Sequence, residues 1–178
     1  MDLIREHFKS SPVPRGCRYW CEKTPRNILF FREISACLGH RTKMINIVRD
    51  GRDVVCSVHP DAPERFWVSP ERWVEDVAAG IAFEDDPQVL TLRYEDLVTA
   101  FAETMSRLCA FLKLRSNRRM LEYPAHATLK VSNAWSQPAS AVHANRIGSW
   151  RTVRGNVRVA ELLDNPDAVR LLHHFNYI

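Results

Sequence analysis

The chain has 178 residues, 46% of them hydrophobic and 26% charged, which excludes a disordered, collagen-like or low-complexity protein. Twenty-five Lys and Arg stand against 21 Asp and Glu, a net charge of +4 that suits an anionic ligand and is too small to argue for nucleic acid. No stretch approaches the roughly 20 apolar residues of a membrane span.

The opening segment, MDLIREHFKSS, carries charges where a secretory leader would be apolar. Cys17, Cys21, Cys37, Cys56 and Cys109 are scattered and without metal-ligand spacing. They read as reduced thiols of a cytoplasmic protein, and no metal site is expected.

Short apolar runs alternate with helical stretches, the pattern of an α/β fold with a parallel sheet. Leu3, Ile4, His7 and Phe8 predict a short opening helix. Tyr19 to Glu22 reads as a short strand. Thr24 and Pro25 then predict a helix start, with Thr24 as N-cap, running through Ile28, Phe31, Ile34 and Leu38 to a stop at Gly39. Lys43 to Val48 is the clearest strand, apolar enough to be buried on both faces. Residues 49–53 predict a polar turn, after which Val54, Val55 and Val58 begin a helix.

Ser69 and Pro70 open the next helix, with Trp73, Val77, Gly80 and Ile81 on one face. Val89 to Arg93 is a third strand, and Phe101 to Leu112 an amphipathic helix. Residues 124–144 are irregular and long enough to suggest a working loop. Val159 to Phe175 is helical with a break at Asn165-Pro166.

Four clusters carry candidate chemistry. The run Arg49-Asp-Gly-Arg-Asp-Val-Val-Cys-Ser57 starts where the best strand ends, at the carboxyl edge where open α/β sheets take ligands. Helix N-terminal amides favour an anion there, Arg49 and Arg52 supply guanidinium forks, and Ser57 can add a hydroxyl. The competing reading is a structural ion network of Arg49 and Arg52 with Asp50, Asp53 or Glu95. Lys23 precedes a helix at a second strand end, where an ammonium can neutralise a transferring group, or can simply sit in a solvated turn. Tyr94-Glu95 form a third strand-end pair, able to stack on a base or merely to join strand to helix. Last comes Asn145-Arg-Ile-Gly-Ser-Trp-Arg151, in which Gly148 permits close backbone approach between Arg146 and Arg151.

Taken together, these segments resemble the sulfotransferases that use 3′-phosphoadenosine 5′-phosphosulfate (PAPS). Arg49 to Ser57 is similar to the family's 3′-phosphate-binding motif. The Glu-Lys-Thr-Pro stretch resembles the Lys-Thr/Asp-Pro segment of bacterial and tyrosylprotein sulfotransferases. Arg146 to Arg151 resembles the late Gly-x-Trp-Arg/Lys loop. The resemblance spans about residues 19–155. It implies one P-loop NTPase-like three-layer α/β/α domain over 1–178. It also implies PAPS as co-substrate without a metal, and sulfuryl transfer to a hydroxyl or amine of a small-molecule, carbohydrate or peptide acceptor.

The resemblance further implies roles. Lys23 is catalytic, at the sulfuryl group or bridging oxygen. Arg49, Arg52, Ser57, Arg146 and Gly148 bind the cofactor, and Tyr94 lies beside adenine. One departure stands out. The glycines are at 16, 39, 51, 80, 148 and 155, so no Gly-rich loop precedes Lys23. The expectation is that the first βα unit, which cradles the phosphosulfate in the family, is missing. A non-catalytic nucleotide-binding or scaffold relative is therefore the alternative function. Acceptor contacts are expected from residues 60–69 and 124–144.

Overall fold

The computed structural model describes residues 16, 19–59, 62–127, 140–151 and 156–178. The opening helix expected at residues 3–8 lies outside them, as do Cys17, Pro60 and Gly155.

Two parallel strands organise the described chain. β1 (Met44–Val48) pairs with β4 (Val89–Arg93) in a register running from Met44 opposite Val89 to Val48 opposite Arg93. Helix α1 (Phe31–Leu38) precedes β1, and Gly39 ends it at φ 82°, a conformation that favours glycine. After β1 come the short α2 (Gly51–Val55) and an antiparallel pair, β2 (Val58–His59) and β3 (Ala62–Phe66). Helix α3 (Pro70–Ile81) returns the chain to β4. Its N-cap Ser69 accepts the backbone N–H of Arg72 at 3.2 Å, and Pro70 occupies the first turn, as the sequence predicts.

Beyond β4 the chain continues through α4 (Tyr94–Thr99), α5 (Phe101–Phe111) and α6 (Arg118–Leu121) to α7 (Asn156–Leu163) and α8 (Pro166–His174). Asn165 caps α8 by accepting from the N–H groups of Asp167 and Ala168. That cap and Pro166 together explain the break between the last two helices.

The main core gathers Val48 at the end of β1 with Val55, Trp73, Val77, Leu162, Ala168, Leu171, Leu172 and Phe175. Residues from α2, α3, α7 and α8 thus bury their apolar faces around the end of β1. The indole of Trp73 lies so close to the backbone of α2 that a Cβ on Gly51 would stand 2.7 Å from the ring.

Several local expectations change. Residues 19–22 form no strand: Tyr19 and Trp20 are exposed, and the Tyr19 hydroxyl donates to the Leu112 carbonyl. Thr24 is no helix cap, because its hydroxyl donates to the Glu22 carboxylate, whose other oxygen accepts from Asn27 at 2.6 Å. The helical stretch begins instead as a 3₁₀ turn at Asn27–Phe30, after Arg26 in the left-handed region at φ 69°. The Arg26 side chain pairs with Glu75 and Asp76 on α3.

α2 starts at Gly51, three residues before the expected position, because Asp50 caps it by accepting the Arg52 N–H at 2.9 Å. Val58 lies in β2, so Ser57 follows the helix rather than lying within the one expected to run through Val58. Part of the expected loop at 60–69 is strand β3. Ile47 is 52% exposed, so β1 is not buried on both faces.

Gly51→Ala should destabilise the fold by about 1–3 kcal/mol, since the added methyl meets a buried indole that cannot move aside freely. Urea denaturation measures it; an unchanged midpoint would mean that α2 is not held against Trp73.

Candidate functional site

The parallel register sets the site. Val48 lies opposite Arg93, so the turn after β1 and the first residues of α4 leave the sheet side by side at its carboxyl edge. Two hydrogen bonds hold the turn after β1, a buried one to α4 and a partly buried one to α3. The Asp50 N–H donates to Glu95 Oε1 at 3.1 Å, and Trp73 Nε1 donates to the Arg49 carbonyl at 3.2 Å.

Arg49 and Arg52, alike in sequence, sit in different surroundings. Arg52 is held within the protein. It is bidentate to Asp50, with Nε to Oδ1 at 2.9 Å and Nη2 to Oδ2 at 2.7 Å. Its Nη2 also donates to the Tyr177 carbonyl at 2.7 Å, and its guanidinium lies 4.5 Å from the centre of the Trp150 ring. Arg49 is held more loosely. Its guanidinium stacks on Tyr94 at 4.6 Å, donates to the Arg146 carbonyl at 2.5 Å and stands 3.5 Å from Asp53. Its Nε is buried and has no acceptor among the described residues; the same holds for Trp150 Nε1 nearby. The Nε of Arg72, Arg93 and Arg158 likewise makes no hydrogen bond among the described residues, so it is the place of Arg49 at the carboxyl edge, together with its open donor, that suits an outside acceptor.

The 146–151 segment is fastened by Asp53, which is 1% exposed. Asp53 Oδ2 accepts the Gly148 N–H at 2.8 Å, and Oδ1 accepts both the Ser149 hydroxyl and the Trp150 N–H at 3.0 Å. Gly148 is favoured by its backbone conformation, at φ 72°. A Cβ there would meet the Arg151 guanidinium, the end of a side chain flexible enough to move aside. Arg151 lies over the Trp150 ring at 4.6 Å, and the Arg146 side chain is exposed.

The remaining site residues divide. Ser57 donates its hydroxyl to the Asp53 carbonyl at 2.9 Å, closing the last turn of α2. Burial, with Asp53 adding to it, pushes the neighbouring Cys56 thiol up, which disfavours a thiolate nucleophile. Lys23 is exposed before the 3₁₀ turn and takes no part in the Arg49 network among the described residues.

Tyr177 was not legible as a site residue. Its hydroxyl donates to Glu95 Oε2 at 2.8 Å and its ring lies under the Arg93 guanidinium at 4.6 Å. Burial, reinforced by Glu95, pushes its pKa well above the ordinary tyrosine value. No local pattern announces it, because Glu95 lies 82 residues away in the chain. Asp53 did have a local sign, an acid four residues after Arg49, the spacing at which side chains meet on a helix.

The model of the Sulfotransferase family matches residues 1–118. Among solved structures, the chain is similar to the sulfotransferase domain from the curacin biosynthetic pathway at 19% identity and TM-score 0.57, covering 88% of this chain and 62% of that one. It is also similar to mouse sulfotransferase SULT7A1 complexed with PAP, at 19% identity and TM-score 0.52, covering 97% of this chain and 73% of that one. The chain thus spans less than two thirds of the first neighbour. At this identity both show the fold, a mixed α/β architecture with a short parallel sheet, as expected from the sequence. No curated protein matches.

Tyr177→Phe should cost about 1–3 kcal/mol by leaving one oxygen of the buried Glu95 without its donor. It should also change the alkaline limb of stability. The folded tyrosine holds its proton above the unfolded value of about 10, so stability present below that pH falls as pH rises past it. Denaturation midpoints between pH 8 and 11 should show a shallower alkaline decline in the phenylalanine variant.

Proposed function

The chain belongs to the sulfotransferase family, and on that premise we propose that it transfers a sulfuryl group from PAPS to a hydroxyl or amine acceptor. The observation that carries the reading is Arg49. Its guanidinium stands at the carboxyl edge of the parallel pair, stacked on Tyr94, with a buried Nε that has no acceptor among the described residues. The PAP bound by the mouse neighbour supports a nucleotide with two phosphate groups as the ligand class.

In this reading Arg49 and Arg146 hold the 3′-phosphate, joined by Ser57 when its hydroxyl turns from the Asp53 carbonyl to the ligand. A guanidinium suits that task because it stays charged and offers several donors in one plane. Tyr94 packs near adenine, and the glycine at 148 lets the loop backbone approach the phosphate. Arg52 serves the same site at one remove, keeping the turn in shape through Asp50 and Tyr177. Lys23 steadies the negative charge that grows on the leaving phosphate. As the sulfur–oxygen bond to that phosphate breaks, a bond from sulfur to the acceptor forms and the acceptor loses its proton. The products are the sulfated acceptor and 3′,5′-ADP. Positioning and charge supply the rate, as they do in phosphoryl transfer. The acceptor is a small molecule, carbohydrate or peptide met outside the nucleotide site.

The second reading, a relative that binds nucleotide without chemistry, draws on Lys23, which is exposed and outside the Arg49 network among the described residues. Incubation with labelled PAPS and phenol or carbohydrate acceptors separates the two: labelled product excludes the second reading, and nucleotide binding without product excludes the first. Arg49→Ala should weaken 3′,5′-ADP binding by about 1.5–3 kcal/mol in calorimetry, the value of a charge-assisted contact. Unchanged affinity would remove Arg49 from the site.

A further inference from the structure

We infer that Asp53 is a positioning residue: its carboxylate docks the 146–151 loop onto the turn carrying Arg49, and the anion site forms only when that docking holds. The inference rests on the reading that Arg49 meets the 3′-phosphate of a nucleotide.

A carboxylate next to an anion site works against binding unless its charge is already engaged. Asp53 meets that condition. It is 1% exposed, and the loop supplies three donors to it: the Gly148 N–H, the Ser149 hydroxyl and the Trp150 N–H. Arg49 Nη2 stands 3.5 Å from the Asp53 carboxylate. Every donor from the loop lies at least 95 residues away in the chain, so this one side chain joins two distant segments.

The join matters for charge. Within residues 49–53 two arginines stand against two aspartates, so the turn has no net positive charge of its own. The excess comes with the loop, on Arg146 and Arg151. The loop also closes on Arg49 directly, since the Arg146 carbonyl accepts from its Nη2. That contact fixes the guanidinium against Tyr94 and leaves Nε without an acceptor among the described residues. Asp53 itself is placed by α2, one helical turn after Arg49, beside the core residue Val55.

An asparagine at this position keeps the shape and turns half of the acceptor into a donor, facing N–H groups that need acceptors. The test compares native protein with Asp53→Asn and with Ser149→Ala, which removes one donor at a partly exposed position. Two quantities are measured: amide exchange at Gly148 and Trp150 without ligand, and calorimetric affinity for 3′,5′-ADP and for 5′-AMP, which lacks the 3′-phosphate.

Docking predicts that Asp53→Asn speeds exchange at both amides about tenfold or more. It also predicts that 3′,5′-ADP affinity falls about tenfold or more while 5′-AMP affinity changes less than about threefold. Ser149→Ala should move the same quantities in the same direction by less. Equal losses for both nucleotides would mark a merely structural role and overturn the inference. So would native affinity for 3′,5′-ADP in Asp53→Asn, with the nucleotide reading left standing. Native protein that fails to bind 3′,5′-ADP ends the nucleotide reading and the inference with it. Where Asp53→Asn does not fold, Ser149→Ala decides, and its unchanged exchange and affinity overturn the inference.

Discussion

A carboxylate taken out of water must be surrounded by donors, and at the carboxyl edge of the sheet Asp53 and Glu95 impose that demand on the rest of the chain. Glu95 takes the Asp50 N–H and the Tyr177 hydroxyl, which ties the end of β4 to the turn after β1 and both to the residues following α8. Asp53 takes two N–H groups and a hydroxyl from the 146–151 loop. Segments far apart in sequence meet here because the buried acids need their donors, while the apolar residues behind them fill the core around Val48 and Trp73.

The same demand sorts the arginines. Guanidinium groups keep their charge while lying over aromatic rings, and four at this edge do so: Arg49 over Tyr94, Arg52 and Arg151 over Trp150, and Arg93 over Tyr177. Stacking fixes their position; the remaining partners decide what each can still do. Arg52 has its carboxylate and a carbonyl and is committed to the fold. Arg49, farther from its carboxylate and with Nε open among the described residues, retains capacity for a ligand. Family membership and the two solved neighbours supply the chemical context in which that capacity is read.

The elements that were legible in the sequence are those whose cause is local. β1 and β4 are compact apolar runs, α3 carries its own serine cap and proline, and Asn165-Pro166 separates the final helices. Errors arose where two local causes competed. At Thr24 the cap lost to a bond with Glu22. At Asp50 a residue of the predicted polar turn instead caps the helix, so α2 begins at Gly51 and Ser57 follows its end. Ile47 was expected to be buried from its type alone, yet burial depends on what lies opposite.

By itself, then, the sequence settled β1, β4, the helix at Pro70–Ile81, the break between the last two helices, the parallel α/β class and the basic segments flanking the sheet edge, because propensity, periodicity and capping act over a few residues. It names Arg49, Arg52, Asp50, Asp53 and Glu95 as charges able to pair, without saying which do. The tertiary structure decided that, joining Asp53 to Ser149 and Glu95 to Tyr177 across 96 and 82 residues. Hydrogen bonds of that reach leave no mark in a local pattern; they exist only once the core has brought the segments within 3 Å of one another.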